Sequence, residues 1–282
     1  MEFTVTNDFY FGYSGGNAIL RGMPTHGVAF SIGTPEAPSF LSIGSIRTRE
    51  YTVDGEADLV LENGTFSAHL QNAEIGVSHY TGPHDYWAVG KLDLRHSALQ
   101  DFEVADSVEI GRGQQSASYK RSVGRVYFAT GTVNIATNLL MGDTLAPSSA
   151  LLDLSGTTVT VGQQVELWPT ATVNTRLRGW SAGLEITSRA ADALSVSNGA
   201  VINVIFEQDP ADLEQRRYGG LTLAGDRIAL CTALHADGRL LWDTSALSPR
   251  WAKKVAIRYD AVEDVTYVGF DPRTQGTLLL MR

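Results

Sequence analysis

Four two-residue turn signals constrain this chain more than any other feature: Asp54-Gly55, Asn63-Gly64, Asn198-Gly199 and Asp237-Gly238. Each stands between segments that alternate or cluster apolar residues. A tight type I′ turn needs φ > 0 at both central positions, which Asn or Asp followed by Gly tolerates best. On that logic residues 50–53, 57–62 and 65–71 form a three-stranded meander. Residues 194–197 with 200–206, and 227–236 with 239–242, form two further hairpins. The turns thus predict antiparallel β-structure in both halves of the chain.

Side-chain alternation extends the strand assignment. Phe102, Val104, Val108 and Ile110 fall on one face and Glu103, Ser107 and Glu109 on the other, with Asp106 interrupting as a bulge or edge. In residues 65–70, Phe66, Ala68 and Leu70 point inward and His69 joins the polar set. Residues 125–137 are rich in Val, Tyr, Phe, Thr and Ile and read as a long strand. Strand signals resume at 157–161, 164–173 and 183–187. Glycine is in excess, with 28 residues against a usual ~7%, as a fold with many turns requires. Helices are few. One is expected to start at the N-cap Asp209 with Pro210 at its first position and to close at Gly219, and a shorter one to open at Ser248-Pro249 and run through Lys254.

The predicted fold class is all-β: antiparallel β-sandwich or jelly-roll-like domains with one or two short helices. The segment 139–149, with Gly142, Asp143, Pro147, Ser148 and Ser149, reads as the connection between an N-terminal β domain at 1–140 and a C-terminal sandwich at 150–282.

Charge and motifs narrow the function classes. A formal net charge of −9, with no basic run longer than Lys253-Lys254 or Arg216-Arg217, argues against a nucleic-acid surface. The single cysteine, Cys231, lies in an apolar run and reads as a small buried hydrophobe, so no intramolecular disulfide forms. The N-terminus shows no secretory pattern and no stretch is apolar enough for a membrane helix, which predicts a soluble chain made in the cytosol without a signal peptide. A Gly-x-Ser-x-Gly elbow, a Walker A loop and a Gly-x-Gly-x-x-Gly turn are all missing from the sequence. Ser118-Tyr119-Lys120 lacks the Ser-x-x-Lys spacing. Asn63-Gly64-Thr65 is a formal glycosylation sequon whose turn role accounts for it.

Two segments carry binding-type side chains. In the loop 79–87, Gly82-Pro83 forces a turn and Tyr80, His84, Asp85, Tyr86 and Trp87 surround it, a combination suited to stacking on a sugar or anchoring a protein. The alternation after it puts Ala88, Gly90, Leu92 and Leu94 on the apolar side and leaves Trp87 on the polar one. The N-terminal Phe9, Tyr10, Phe11 and Tyr13 form an aromatic run that seals a sandwich end or docks on a neighbouring subunit. His79, His84, Asp85 and His96 lie close in sequence but match no tight metal-ligand spacing, so no metal and no cofactor are expected. The expectation for function is a non-catalytic structural, assembly or binding protein that contacts copies of itself or other protein subunits, of the kind built into virus or phage particles. The alternative is a carbohydrate-binding or carbohydrate-active β-sandwich.

Overall fold

The computed structural model describes residues 2–12, 17–22, 27–46, 54–79, 87–113, 121–144, 148–178, 183–210 and 218–270. Among them are 22 strands, numbered β1–β22 along the chain, and two short helices, so the all-β class holds. The pairing is not that of an antiparallel sandwich. Nearly every strand pairs in parallel with the strand one winding further on, and the chain coils as a parallel β-solenoid with three ladders.

The first ladder begins with β1 (Glu2–Val5), β4 (Val28–Ile32) and the start of β7 (Gly64–Ile75). It continues through the ends of β8 (Trp87–Val104) and β10 (Arg121–Ile135) to β13 (Thr157–Val161), β16 (Gly183–Ile186) and β19 (Tyr218–Ala224). The register runs Phe3↔Phe30↔Phe66↔Leu99, and later Val133↔Val159↔Leu184↔Leu221. The second ladder stacks β2 (Phe9–Phe11), β5 (Ser39–Ile43), the end of β7, β9 (Val108–Ile110), β11 (Asn138–Met141), β14 (Gln164–Leu167) and β17 (Leu194–Val196). The third stacks β3 (Asn17–Gly22), β6 (Gly55–Leu61), the starts of β8 and β10, β12 (Ser149–Ser155), β15 (Ala171–Arg178), β18 (Val201–Gln208) and β20 (Leu240–Asp243). Ladders cross the expected domain connection: β10 pairs with β12 and β13, and β11 with β14.

Glycines set the corner between the second and third ladders. Phe11-Gly12, Ile43-Gly44, Ile75-Gly76, Ile110-Gly111 and Met141-Gly142 occupy it in successive windings, each glycine with φ between +58 and +82. The corner carries its own hydrogen-bond ladder: Gly44 N–H donates to the Phe11 carbonyl, Gly76 to Ile43, Gly111 to Ile75 and Gly142 to Ile110, all at 2.8–2.9 Å. An L side chain resists that left-handed backbone, and here it would also strike the next winding.

The Asx-Gly dipeptides do not form the type I′ turns expected of them. Asn63, Asn198 and Asp237 all lack the positive φ that such a turn needs at its first central position, Gly64 lies at φ +139, and Gly55 is not left-handed. Residues 57–62 and 65–71 do form strands, β6 and β7, but they belong to the third and first ladders and do not pair with each other. Residues 50–53 lie outside the described residues. Likewise β17 pairs with β14, while β18 pairs with β15 and β20. The third expected hairpin fails differently: its first arm is the helix α1 (Ile228–Ala236). Asp237-Gly238 closes that helix, with Gly238 at φ +72 donating to the His235 carbonyl and Arg239 N–H donating to Leu234, a Schellman arrangement. The turn is real, but it ends a helix. Antiparallel pairing is confined to β19 with β22 (Val265–Phe270), β22 with β21 (Ala256–Asp260), and one bridge at Thr34–Ala37 among the described residues. The short helix α2 (Pro249–Ala252) stands where Ser248-Pro249 predicts it. The helix expected after Asp209 falls on residues mostly outside those described.

Inward side chains stack from winding to winding into one continuous core running from Phe30 to Phe270. Its first half holds an aromatic column, with ring centroids 4.9 Å apart for Phe3 and Phe30, and 5.6 Å for Phe30–Phe66, Phe66–Phe102 and Phe102–Phe128. Beyond it the column turns aliphatic. The far end is filled by Phe206, Phe270 and Trp251, which stack in sequence, and by Cys231 and Leu234 of α1. The predicted inward set Phe66, Ala68, Leu70, Phe102, Val104, Val108 and Ile110 is buried. Asp106 marks a corner, where its carboxylate accepts the Thr137 hydroxyl at 2.8 Å.

Candidate functional site

Because a solenoid buries one face of every strand, its chemistry lies on the outward positions, at the corners and at the two ends. The outer row of the third ladder is an ionic stripe. The register places Asp93, Tyr127, Asp153, Asn174 and Asn203 side by side on successive windings. Asp93 is almost enclosed, held by Arg95 at 2.6 Å and Lys91 at 3.3 Å, and the Arg95 guanidinium lies over the Tyr127 ring at 4.5 Å. Burial pushes the Asp93 pKa up, but the bonds and charges of Arg95, with Lys91 behind them, outweigh it and hold the carboxyl below its ordinary value. Asp153 takes the Arg176 Nε at 2.9 Å and the Asn174 amide at 3.1 Å, and Asn174 in turn accepts from Asn203 at 2.9 Å. Arg176 and Arg178 both reach Glu207. Two carboxylates on one face resemble a glycosidase pair, yet each is matched by a guanidinium. The Asp93 carboxyl, its pKa held down by Arg95, is poorly suited to protonate a leaving group.

A different cluster lies on the outer row of the first ladder. The register sets Ser67 opposite Asp101, His69 opposite Glu103, and Glu103 opposite Asn134. His69 Nε2 is 3.3 Å from Asp101 Oδ2 and its Nδ1 is 3.9 Å from Glu103 Oε2. Beside them runs a groove of about 420 Å³, lined by Pro35, Pro38, His69, Glu103, Asn134 and Thr160 among others. The alternation that put His69 with the polar residues identifies its face but not its partners. Those lie one winding away, and recognising the winding is what could have found them.

The residues singled out from the sequence are dispersed. Tyr80, His84, Asp85 and Tyr86 lie outside the described residues, as do Tyr13 and Ser118-Tyr119-Lys120. Trp87 is on the outward side as expected, 37% exposed, with the Arg121 guanidinium 3.8 Å above its ring and its backbone N–H donated to the Asp54 carboxylate. Phe9 and Phe11 are half-buried and stack at 5.7 Å, with Phe9 edge-on to Phe30. Tyr10 between them points out, 46% exposed. Of the histidines weighed for a metal, His79 sits 3.0 Å from the buried Glu74 and His96 is exposed on β8. Cys231 is buried, and desolvation pushes its thiol up to about 11 despite the opposing charge of Arg227. Among the described residues, no helix is long and apolar enough to cross a membrane.

The ends differ from the flanks. Among the described residues eight large apolar side chains are exposed. Phe3, Tyr10 and Ile19 belong to the first winding, and Ile228, Leu241, Tyr259 and Val262 to the last winding and its cap. Trp87 alone lies on a flank. The first winding also presents three strand edges, since among the described residues β1, β2 and β3 each pair on one side only. No family model, no curated protein and no solved structure matches this chain.

Proposed function

We propose that this protein is a non-catalytic structural component that assembles through the ends of its solenoid with further protein subunits, in the manner of parts of a virus or phage particle. One observation carries the reading: seven of the eight exposed large apolar residues sit at the two ends, while the flanks are laced with ion pairs. Unpaired parallel edges next to Phe3, Tyr10 and Ile19 are templates for an incoming strand, and soluble proteins ordinarily block such edges with lysine, proline or a covering element. A particle subunit buries them against its neighbour instead. The glycan alternative draws on Trp87, but a guanidinium already covers one face of that ring.

The test is sedimentation velocity over a concentration series to high micromolar. Wild type should associate, and Tyr10→Lys with Ile19→Lys should weaken association at least tenfold without changing the circular-dichroism spectrum. Strictly monomeric wild type across the series would discard the proposal. The particle context is checked by mass spectrometry of purified particles from the native host.

A further inference from the structure

Several surface carboxylates are matched by lysine or arginine. Asp93 has Lys91 and Arg95; Asp153 and Glu207 have Arg176 and Arg178; Asp237 has Arg239; Asp264 has Arg189. Asp101 and Glu103 stand two residues apart on one face of β8, where like charges repel, and among the described residues His69 is their sole cationic neighbour within ion-pair distance.

Three kinds of donor meet there. One nitrogen of His69 and one oxygen from each carboxylate lie within 4.8 Å of one another. The two strands fix this spacing, since directly paired residues of neighbouring strands have side chains about 5 Å apart. His69 is anchored, only 14% exposed, whereas both carboxylate side chains are more than half exposed and free to rotate inward. Ligand bonds of about 2.0–2.2 Å bring such donors to within ~3.5 Å of one another, which ordinary rotation of Asp101 and Glu103 supplies. The adjoining groove, with Asn134 on the next winding, leaves room for water on the open positions.

We propose that His69, Asp101 and Glu103 form a divalent-metal site at the edge of this groove. An imidazole with two carboxylates suits a borderline ion such as Zn²⁺, Co²⁺ or Mn²⁺, with water completing the shell. The metal takes the place that a guanidinium holds beside Asp93, Asp153 and Glu207, and it ties β7 to β8 across two windings. The proposal stands apart from assembly through the ends and survives if that reading fails.

The experiment titrates the intact chain, stripped with chelator, with Zn²⁺ by calorimetry and with Co²⁺ by visible absorption. One saturable site is expected, with Co²⁺ ligand-field bands whose intensity reports the coordination number. His69→Ala and Glu103→Gln should each weaken affinity at least tenfold, and metal should raise the melting temperature of wild type but not of these variants. Glu185→Gln, on the same outer row two windings beyond Asn134, should bind as wild type does. Absence of saturable binding would overturn the proposal. So would equal affinity in wild type, His69→Ala and Glu103→Gln, which would place any bound ion elsewhere.

Discussion

Replacing Gly76 by alanine separates two costs carried by the corner glycines of the second ladder. Gly76 has φ +63, and a Cβ there would lie 1.9 Å from the Val123 carbonyl oxygen. Gly225 has a similar φ of +76, yet nothing lies within 4 Å of the corresponding Cβ. Left-handed backbone costs an L residue about 1–2 kcal/mol, so Gly225→Ala should lose that much stability. At Gly76 the same strain is joined by a collision with main chain. Carbon and oxygen rest no closer than ~3.3 Å, so the β10 backbone must retreat by roughly 1 Å or more. Val123 is paired with Val89 on one side and Ser149 on the other, and a retreat stretches one of those pairings. Weakening one or two buried backbone hydrogen bonds costs about 1–3 kcal/mol. Gly76→Ala should therefore lose about 2–5 kcal/mol in urea unfolding followed by circular dichroism at 25 °C. A loss within about 1 kcal/mol of that for Gly225→Ala would refute the argument that close approach of successive windings, beyond φ alone, demands glycine at this corner.

Two other predictions follow from the charged and buried groups. Asp93→Asn should cost about 1–3 kcal/mol at neutral pH, because it leaves the Arg95 and Lys91 charges without their carboxylate. Asp93 has its folded pKa lowered, so its contribution is present above the ordinary value of 3.8 and is lost as pH falls through the lower folded value. The stability gap between wild type and Asp93→Asn should accordingly close below that pH; a gap unchanged down to pH 3 would contradict the assignment. Cys231, its thiol raised to about 11 by burial on the inner side of α1, should be inert to a thiol reagent at pH 8 in the folded protein. In urea it should react at the rate of a free cysteine, and rapid labelling under native conditions would show that α1 does not stay packed on the core.

The local content of the fold was legible in the sequence. Strand positions, inward faces, the isolated buried cysteine and the α2 start at Ser248-Pro249 all follow from alternation, β-propensity and cap chemistry, which act between residues close in the chain. The run 228–236 was misread because its continuous apolar stretch fits a buried strand as well as a helix, and packing of Cys231 and Leu234 against the last winding settled it. A longer-range signal was also present. An apolar residue followed by glycine recurs at Phe11-Gly12, Ile43-Gly44, Ile75-Gly76, Ile110-Gly111 and Met141-Gly142, a winding apart each time, and such a period belongs to a solenoid. The Asx-Gly dipeptides masked it by offering a nearer explanation.

What the sequence determined by itself was where the chain extends, where it turns, and which side of each strand faces the core. Only the tertiary structure decided which strands are neighbours. An Asx-Gly pair favours a bend whether the next strand folds back beside its predecessor or passes round a corner into another ladder. The choice is made by side chains about a winding apart, Phe30 on Phe66 and Ile43 beside Ile75. The same distance kept His69 from its carboxylates in the sequence: pairing at a full winding's separation brings Asp101 and Glu103 to its ring, and no local pattern records it.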